Sequence, residues 1–333
     1  METTSLNKPS TLLVVAAFAT VYVVWGSTYF FIQMAIQGMP PMLMGAIRFF
    51  TAGVLLLAWC WFKGDRVFVK KDIVTSGISG LLTLFVATGI VIWVEKFIPS
   101  AMVAIMVSAN PIWFVVLDKA NWKINLRSKT TVAGLVLGFG GVLLLFGEAF
   151  SKSIAKGMEK EQLIGLLLLI AGPVAWSAGS LYSKKASGNA PARVNTSWQM
   201  IVAGLAFIPA SFIHNEYSGF QLSSVPLQSW LAVVYLIFFG SIAAFSAYVW
   251  LLQVRPATQV STHSYVNPVI AVILGVLFAG EVISWMQVIG LFIILLSVLL
   301  VNLTKYSFKK PVVKPKPEEK KIIVQADKLS CAN

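Results

Sequence analysis

The sequence Ser264-Tyr265-Val266-Asn267-Pro268 lies in the middle of a long apolar segment, and Ser108-Ala109-Asn110-Pro111 lies in the middle of another. An Asn-Pro pair inside a membrane helix places an amide in hydrocarbon and frees a backbone carbonyl, because proline has no N–H. Such groups are tolerated where they face protein or a wet cavity. Asn110 and Asn267 are 157 residues apart, as are Pro99 and Pro256, which begin the two segments. A polar interruption repeated at membrane depth is typical of transporters built from two repeats.

The composition indicates a polytopic α-helical membrane protein. Of the 333 residues, 57% are hydrophobic and only 12% are charged, which is about half the share that a soluble surface requires. The net charge of +13 does not indicate nucleic-acid binding, because the cations lie in loops between apolar runs and in the C-terminal tail. Cys60 lies in an apolar run and Cys331 in the tail, so a disulfide framework is not expected.

Ten apolar runs approach the length of about 20 residues that a bilayer requires. The predicted spans are 11–34, 41–62, 73–94, 99–118, 130–147, 163–183, 195–213, 228–251, 257–279 and 284–303. The first run is too long for the apolar core of a signal peptide, so we interpret it as a spanning helix. Five spans belong to a first repeat (1–150) and five to a second (160–305), and a basic tail (306–333) is predicted to be disordered and cytoplasmic.

The two halves resemble each other at a nearly constant spacing. In the early part of each half the spacing is 151 residues, and the matching pairs are Trp25 with Trp176, Arg48 with Gln199, and Gly53 with Gly204. Because five helices per half is an odd number, the halves must have opposite orientations. The fold class expected is therefore an all-α membrane protein of ten transmembrane helices in two inverted five-helix repeats.

The loop cations predict the orientation of the chain. Lys and Arg are concentrated in the loops after the second, fourth, sixth and eighth spans and in the tail, whereas the opposite loops carry few or balanced charges. Cytoplasmic loops carry such an excess. Both termini are therefore predicted to be cytoplasmic, and an even number of spans agrees with this.

Several motifs carry a resemblance to a known family. They are Trp25-Gly26-Ser27-Thr28-Tyr29, Arg48-Phe49, Tyr265-Val266-Asn267-Pro268-Val269, and Gly280-Glu281 with Gly290 nine residues further on. The chain resembles the EamA repeats of the drug/metabolite transporter superfamily, and most of all its YedA-like inner-membrane exporters, from about residue 12 to 304. The first copy departs from the pattern, since Ile124 stands where Glu281 has its counterpart. The resemblance implies ten helices, a central cavity between the halves, and export of amino acids, related metabolites or drugs.

Arg48 is the first candidate for substrate binding. It lies seven residues inside Pro41, roughly 10 Å into the hydrocarbon core at 1.5 Å per residue. A charge at such depth costs about 2.5 kcal/mol or more, so the guanidinium should face a cavity or a partner. It can clamp a substrate carboxylate; the alternatives are a bond to helix-end carbonyls, or snorkelling to the outer surface. Gln199, its repeat mate, is expected at the same site.

His263 lies one helical turn before Asn267 and shares a helix face with it. It can contact substrate or carry a proton, and the alternative is a neutral histidine hydrogen-bonded between helices. Glu95 and Glu281, near the outer surface, are further coupling candidates. Either carboxylate can pair with Arg48 or serve structure alone, and Glu281 can also cap the tenth helix or face water.

Aromatic residues form the last group of candidates. Trp25 and Tyr29 lie four residues apart on one face of the first helix, and Trp176 recurs in the sixth. They suit a cavity wall for flat or amphipathic solutes, with Tyr265 as a weaker candidate. The alternative is packing or anchoring at the membrane interface.

The function predicted is a secondary transporter that exports amino acids or related small organic metabolites. Alternatives are a multidrug exporter, a channel-like facilitator and a membrane scaffold. No catalytic residues, metal site or cofactor are expected, because the apolar segments lack phosphate loops, hydrolase elbows and paired catalytic carboxylates. The partners expected are a small-molecule substrate and membrane lipid, with a possible homodimer and no nucleic acid. Gly134, Gly138 and Gly141 predict close helix packing, within or between monomers.

Overall fold

A computed structural model describes residues 10–98, 103, 106–155, 160–186, 190–279 and 284–303. All regular structure in these residues is helical. The main helices are α1 Thr11–Ile36, α2 Pro41–Phe62, α3 Lys70–Val94, α4 Asn110–Leu117, α5 Lys129–Ala155, α6 Lys160–Ala186, α7 Ala192–Ile213, α8 Leu227–Val254, α9 His263–Ala279 and α10 Trp285–Leu303. Short helices Trp122–Arg127 and Ala257–Val260 precede α5 and α9. Glu281 and the C-terminal tail lie outside the described residues.

Six of these helices are long and apolar enough to cross a membrane: α1, α2, α3, α6, α7 and α8. In α5 and α10 the apolar stretches are shorter, Lys129–Leu144 and Trp285–Val301. Large apolar side chains lie on the outside, such as Phe62 at 82% exposure and Phe292 at 70%, as expected for a surface that contacts lipid. The described chain is therefore a multi-pass helical membrane protein, with six clear spans where the sequence predicts ten.

The fourth and ninth predicted spans are interrupted, but not alike. Before α4 the chain turns at Ser108 and Ala109, directly ahead of the Asn-Pro pair. Before α9 the turn is at Ser261 and Thr262, several residues ahead of Asn267. Asn267 and Pro268 thus lie inside α9, as the sequence predicts, and the chain is interrupted before them.

The position of the break before α9 has a physical reason. The hydroxyls of Ser261 and Thr262 donate to the carbonyls of Thr258 (2.9 Å) and Gln259 (2.6 Å), so these carbonyls are satisfied at membrane depth. Pro268 stands in the second turn of α9, where its missing N–H removes a single helical hydrogen bond.

Helices α2 and α7, which are equivalent in the two halves, pack closely and antiparallel. A Cβ at Gly53 would lie 2.7 Å from the backbone N of Ile201, and one at Gly204 would lie 2.7 Å from the Cα of Phe50. Residues 50 and 201 are themselves 151 apart, so the two contacts are related by an approximate two-fold axis. Contacts near one end of α2, such as the stacked rings of Phe49 and Phe207 at 5.8 Å, involve the opposite end of α7.

Helices α5 and α10 form a second antiparallel pair. Gly134 lies against Ser297 and Val301, whereas Gly141, two turns later, lies against Gly290 and Ile294. The small-residue face of α5 is therefore used for packing within the chain.

Carboxylates attach the ends of α2 and α7 to each other. Glu216 accepts hydrogen bonds from the backbone N–H groups of Met42 (3.1 Å) and Leu43 (2.9 Å) at the start of α2. Asp65, which is 151 residues earlier, accepts two from the guanidinium of Arg193 in the first turn of α7, at 2.6 and 2.7 Å. Each carboxylate therefore holds the N-terminus of the partner helix, and the two contacts lie at opposite ends of the pair.

Helices α3 and α8 each contain a π-helical turn near the middle, Leu81–Ala87 and Leu236–Ala243 respectively. A π-helical turn holds an extra residue and occurs frequently at functional sites. Because both equivalent helices contain such a turn, the space between them is a candidate functional site.

Candidate functional site

An open cavity of about 100 Å³ lies at the centre of the helices. A concave site of this kind between helices is where a small organic solute is expected to bind. Seven of the predicted site residues line it: Trp25, Tyr29, Arg48, Asn110, Trp176, His263 and Asn267.

The described lining of the cavity extends from the middle of the helices toward one membrane face. On α1 its lining runs from Trp25 to Ile32, and on α3 from Leu84 to Val91. Both stretches approach the face that carries the 36–41 turn between α1 and α2. The cavity is thus placed to be accessible from that face, which the cation bias predicts to be the outer one.

Arg48 contributes a buried positive charge to the cavity wall. Its side chain is 4% exposed, and its Nε donates to the hydroxyl of Ser241 at 2.9 Å. The guanidinium lies 4.7 Å from the centroid of the Phe49 ring. Its Nη1 has no hydrogen-bond partner, and no carboxylate within the described ranges pairs with it. Because burial of an unpaired charge is costly, this cation is suited to an anionic group that enters from outside.

The π-helical turn of α8 positions two of the cavity residues. The carbonyl of Gly240 accepts a hydrogen bond from the indole N–H of Trp25 at 3.0 Å, and Ser241 accepts from Arg48. A Cβ at Gly240 would lie 3.1 Å from Nη2 of Arg48, so a side chain there would press on the guanidinium.

Five rings, which we call the aromatic layer, lie together at the inner end of the cavity. They are Trp25, Trp176, Phe245, Tyr248 and His263, and the centroids of Trp25 and His263 are 4.9 Å apart. The Tyr248 hydroxyl accepts from the indole of Trp176 at 2.9 Å and bonds the hydroxyl of Ser180 at 2.7 Å. The layer separates the cavity from the membrane face that carries the 62–70 turn.

The amides of Asn110 and Asn267 present free acceptors. Asn110 Nδ2 donates to the hydroxyl of Ser264 at 3.0 Å, and Asn267 Nδ2 lies 3.5 Å from Nδ1 of His263. Within the described ranges, the Oδ1 atoms of both asparagines have no hydrogen-bond partner, nor does Nε2 of His263. Buried acceptors of this kind are expected to bind a donor group of a ligand or water.

Two residues predicted at the site lie elsewhere. Gln199 is fully buried, and its amide bonds the hydroxyls of Ser79 and Ser183, both at 3.3 Å. Tyr265 donates from its hydroxyl to the carbonyl of Leu135 at 3.0 Å, with its ring against Gly138. Gln199 therefore bonds neighbouring helices and does not share the surroundings of Arg48.

The coupling candidates have different surroundings. His263 has aromatic rings and hydroxyl and amide groups as its described neighbours. Glu95 is buried without a hydrogen bond to either oxygen, and the suggested pair with Arg48 does not form.

Several cavity residues were missed by the sequence argument. Thr28, Thr88 and Pro173 line the cavity, and Ser241 and Tyr248 support its wall. The available signal was the occurrence of hydroxyl groups and a proline inside apolar runs, but such residues also occur where they only bond their own helix, as Thr28 does with the Trp25 carbonyl.

The helices, the inward-facing polar groups and the cavity define a membrane transporter. The profile of the EamA-like transporter family matches residues 12–147 and again 163–303, and the chain belongs to this family. It is 34% identical to the inner membrane transporter YedA of Escherichia coli (strain K12) over 303 residues, which cover 90% of this chain and 94% of YedA.

More distant relatives agree with this assignment. A protein named as a probable amino-acid metabolite efflux pump, from Escherichia coli (strain K12), is 22% identical over 88% of this chain and 95% of its own length. A crystal structure with 21% identity has the same fold, with a TM-score of 0.71 over 88% of this chain and 98% of that one. The protein is therefore a multi-pass inner-membrane transporter of the drug/metabolite transporter type.

Proposed function

We propose that this protein is a secondary exporter of amino acids or closely related small metabolites. The observation that carries the proposal is the free Nη1 of Arg48 in a cavity that also contains the free Oδ1 atoms of Asn110 and Asn267. A zwitterion satisfies both kinds of group, since its carboxylate accepts from Arg48 and its ammonium donates to the amide oxygens.

The rest of the cavity suits an organic side chain. Trp25, Trp176 and Phe245 provide apolar ring surface at the inner end, where an apolar or aromatic group can be buried. The name of the relative with 22% identity, an amino-acid metabolite efflux pump, supports the same class of substrate.

The proposed mechanism is alternating access between two inverted five-helix halves of a ten-helix protein with both termini in the cytoplasm. The antiparallel pairs α2–α7 and α5–α10 support the inversion, and the aromatic layer supports a cavity that opens to one face at a time. Energy must come from the substrate gradient or an ion gradient, since the sequence contains no ATP-binding loop. In this proposal the exposed apolar side chains contact lipid, and a homodimer stays a prediction.

The experiment is counterflow in proteoliposomes with a panel of radiolabelled amino acids. Arg48→Ala should weaken apparent affinity about 10–100-fold, which corresponds to the loss of one charge-assisted hydrogen bond worth about 1.5–3 kcal/mol. Arg48→Lys keeps the charge without the planar fork and should be impaired less. Arg66→Ala, at an exposed loop arginine, is the matched control and should transport normally.

The rival functions give different results in the same assay. Normal transport by a well-expressed Arg48→Ala protein would contradict the role of Arg48. The aromatic layer also suits a multidrug exporter, which would exchange planar aromatic cations and not amino acids. The positive charge of Arg48 opposes this function, because it repels cations. Flux without saturation or counterflow would indicate a facilitator.

A further inference from the structure

Glu95 is a buried acid that the binding site does not use. It lies one residue beyond the apolar span Lys70–Val94 and is 6% exposed. Among the residues that the structure describes, neither carboxylate oxygen has a hydrogen-bond partner. Burial raises the pKa of Glu95 well above its usual range. An ionised carboxylate in such surroundings costs several kcal/mol, whereas the protonated acid costs far less.

Glu95 lies close to the cavity. Val91, one helical turn earlier on the same face of α3, lines the cavity, as does Tyr29 on α1. Tyr29 is near enough to Glu95 for the two side chains to interact electrostatically. A change in the charge of Glu95 is therefore felt at the cavity wall.

The described groups around Glu95 do not neutralise its charge. Tyr29 faces it from α1, and the amide of Gln162 at the start of α6 donates to the carbonyl of Phe97 at 3.2 Å. Lys96 is exposed, and His214, at the end of α7, lies beside the Trp93 ring.

None of these groups forms an ion pair or hydrogen bond with Glu95 in the part of the chain that the structure describes. The nearest candidate cation on α2, Arg48, is held by Ser241 instead. The surroundings therefore suit a neutral carboxylic acid.

We propose that Glu95 is the proton-binding site of this transporter, through which proton entry drives substrate export. In the conformation seen here the carboxyl holds a proton taken from the face to which the cavity leads. When the halves rearrange and water reaches Glu95, its O–H bond breaks, the proton passes to water on the other side, and the carboxylate remains. The proposal deepens the proposed function and rests on it, but the protonation of Glu95 can be tested without a substrate.

The first test is infrared spectroscopy of the purified full-length protein, reconstituted in lipid and titrated from pH 5 to pH 10. We expect the carbonyl band of a protonated carboxylic acid at pH 7, its loss at alkaline pH, and its absence in Glu95→Gln. Glu161→Gln, at an exposed position at the start of α6, is the control and should keep the band. Absence of the band from the native protein at pH 7, or its persistence in Glu95→Gln, would overturn the proposal.

The second test uses proteoliposomes with radiolabelled amino acids and an internal pH-sensitive dye. Native protein should move amino acid against its gradient when protons flow the opposite way. Glu95→Gln should keep counterflow but lose gradient-driven accumulation, while Glu95→Asp should retain coupling at a shifted pH. Gradient-driven accumulation by Glu95→Gln would overturn the proposal. If native protein shows no counterflow with any amino acid, the proposed function fails, and the infrared titration alone decides the protonation of Glu95.

Discussion

Replacement of Gly204 by alanine tests the close approach of α2 and α7. The added Cβ would overlap the backbone N of Phe50 and lie 2.7 Å from its Cα, distances that real Cβ atoms do not show. Because the obstacle is backbone and not the end of a flexible side chain, the two helices must separate. Gly53→Ala should behave similarly, since its Cβ would lie 2.7 Å from the backbone N of Ile201.

The size of the effect follows from two opposing contributions. Overpacking of this kind costs about 1–3 kcal/mol. Replacement of glycine by alanine inside a helix returns about 1 kcal/mol, because alanine loses less backbone entropy. The net expectation for Gly204→Ala is a destabilisation of about 0–2 kcal/mol. Relative to a glycine-to-alanine variant without overpacking, the protein should be about 1–3 kcal/mol less stable, or roughly 2–6 °C lower in Tm.

The measurement is thermal unfolding in detergent, followed by tryptophan fluorescence. Gly140→Ala is the matched control, because its Cβ would meet no atom within 4 Å. That variant should be as stable as the native protein or slightly more so. A Gly204→Ala protein as stable as Gly140→Ala would refute the close antiparallel packing and the two-fold relation inferred from it.

Three further predictions concern the helix ends and the cavity. Glu216→Gln removes the negative charge at the start of α2 and one of the two carboxylate oxygens that accept hydrogen bonds. The free energy of unfolding, measured by thermal unfolding, should therefore fall by about 1 kcal/mol. The hydrogen bonds from Arg193 lower the pKa of Asp65, so ionised Asp65 stabilises the fold above its unfolded pKa of about 3.9. That contribution disappears as the pH falls through the lower pKa that Asp65 has in the folded protein. Asp65→Asn should therefore make the free energy of unfolding less dependent on pH in this acidic range. Cysteines at positions 110 and 267, in place of Asn110 and Asn267, should react with a small polar thiol reagent and be protected by substrate.

Each of these predictions has its own contradicting result. Glu161→Gln, at an exposed position, is the control for Glu216→Gln, and equal stability of the two would show that the helix-end contact contributes nothing. A stability profile of Asp65→Asn that still falls like the native one below pH 4 would assign the acid sensitivity to another group. Cysteines at 110 and 267 that stay inert in all conditions would place the binding site elsewhere.

The sequence predicts the helical membrane class and much of the site, because the cost of polar groups in hydrocarbon is large. Arg48, Asn110 and Asn267 stand out among apolar neighbours, and an expensive group needs a cavity or partner. That cost is the reason to expect a cavity or a partner for each, and all three line the cavity. The family resemblance rests on the sequence motifs around these residues.

Other parts of the site depend on contacts between residues far apart in the sequence, which a local sequence pattern cannot predict. The repeat predicts Gln199 at the same site as Arg48, but the Gln199 amide bonds Ser79 and Ser183 instead. Tyr265 packs on Gly138 through a contact between residues 127 positions apart. The sequence pattern also does not reveal the π-helical turn of α8, which contains Gly240 and Ser241, the partners of Trp25 and Arg48.

The two carboxylate contacts at the ends of α2 and α7 have a mechanical consequence. A helix pair fastened near both membrane surfaces resists splaying at either end, because separation on one side would break Glu216 from α2 and on the other Asp65 from Arg193. The pair then moves as one rigid unit that carries Arg48. In the proposed alternating access, an anion bound to the guanidinium would stay with this pair while the surrounding helices expose it first to one compartment and then to the other.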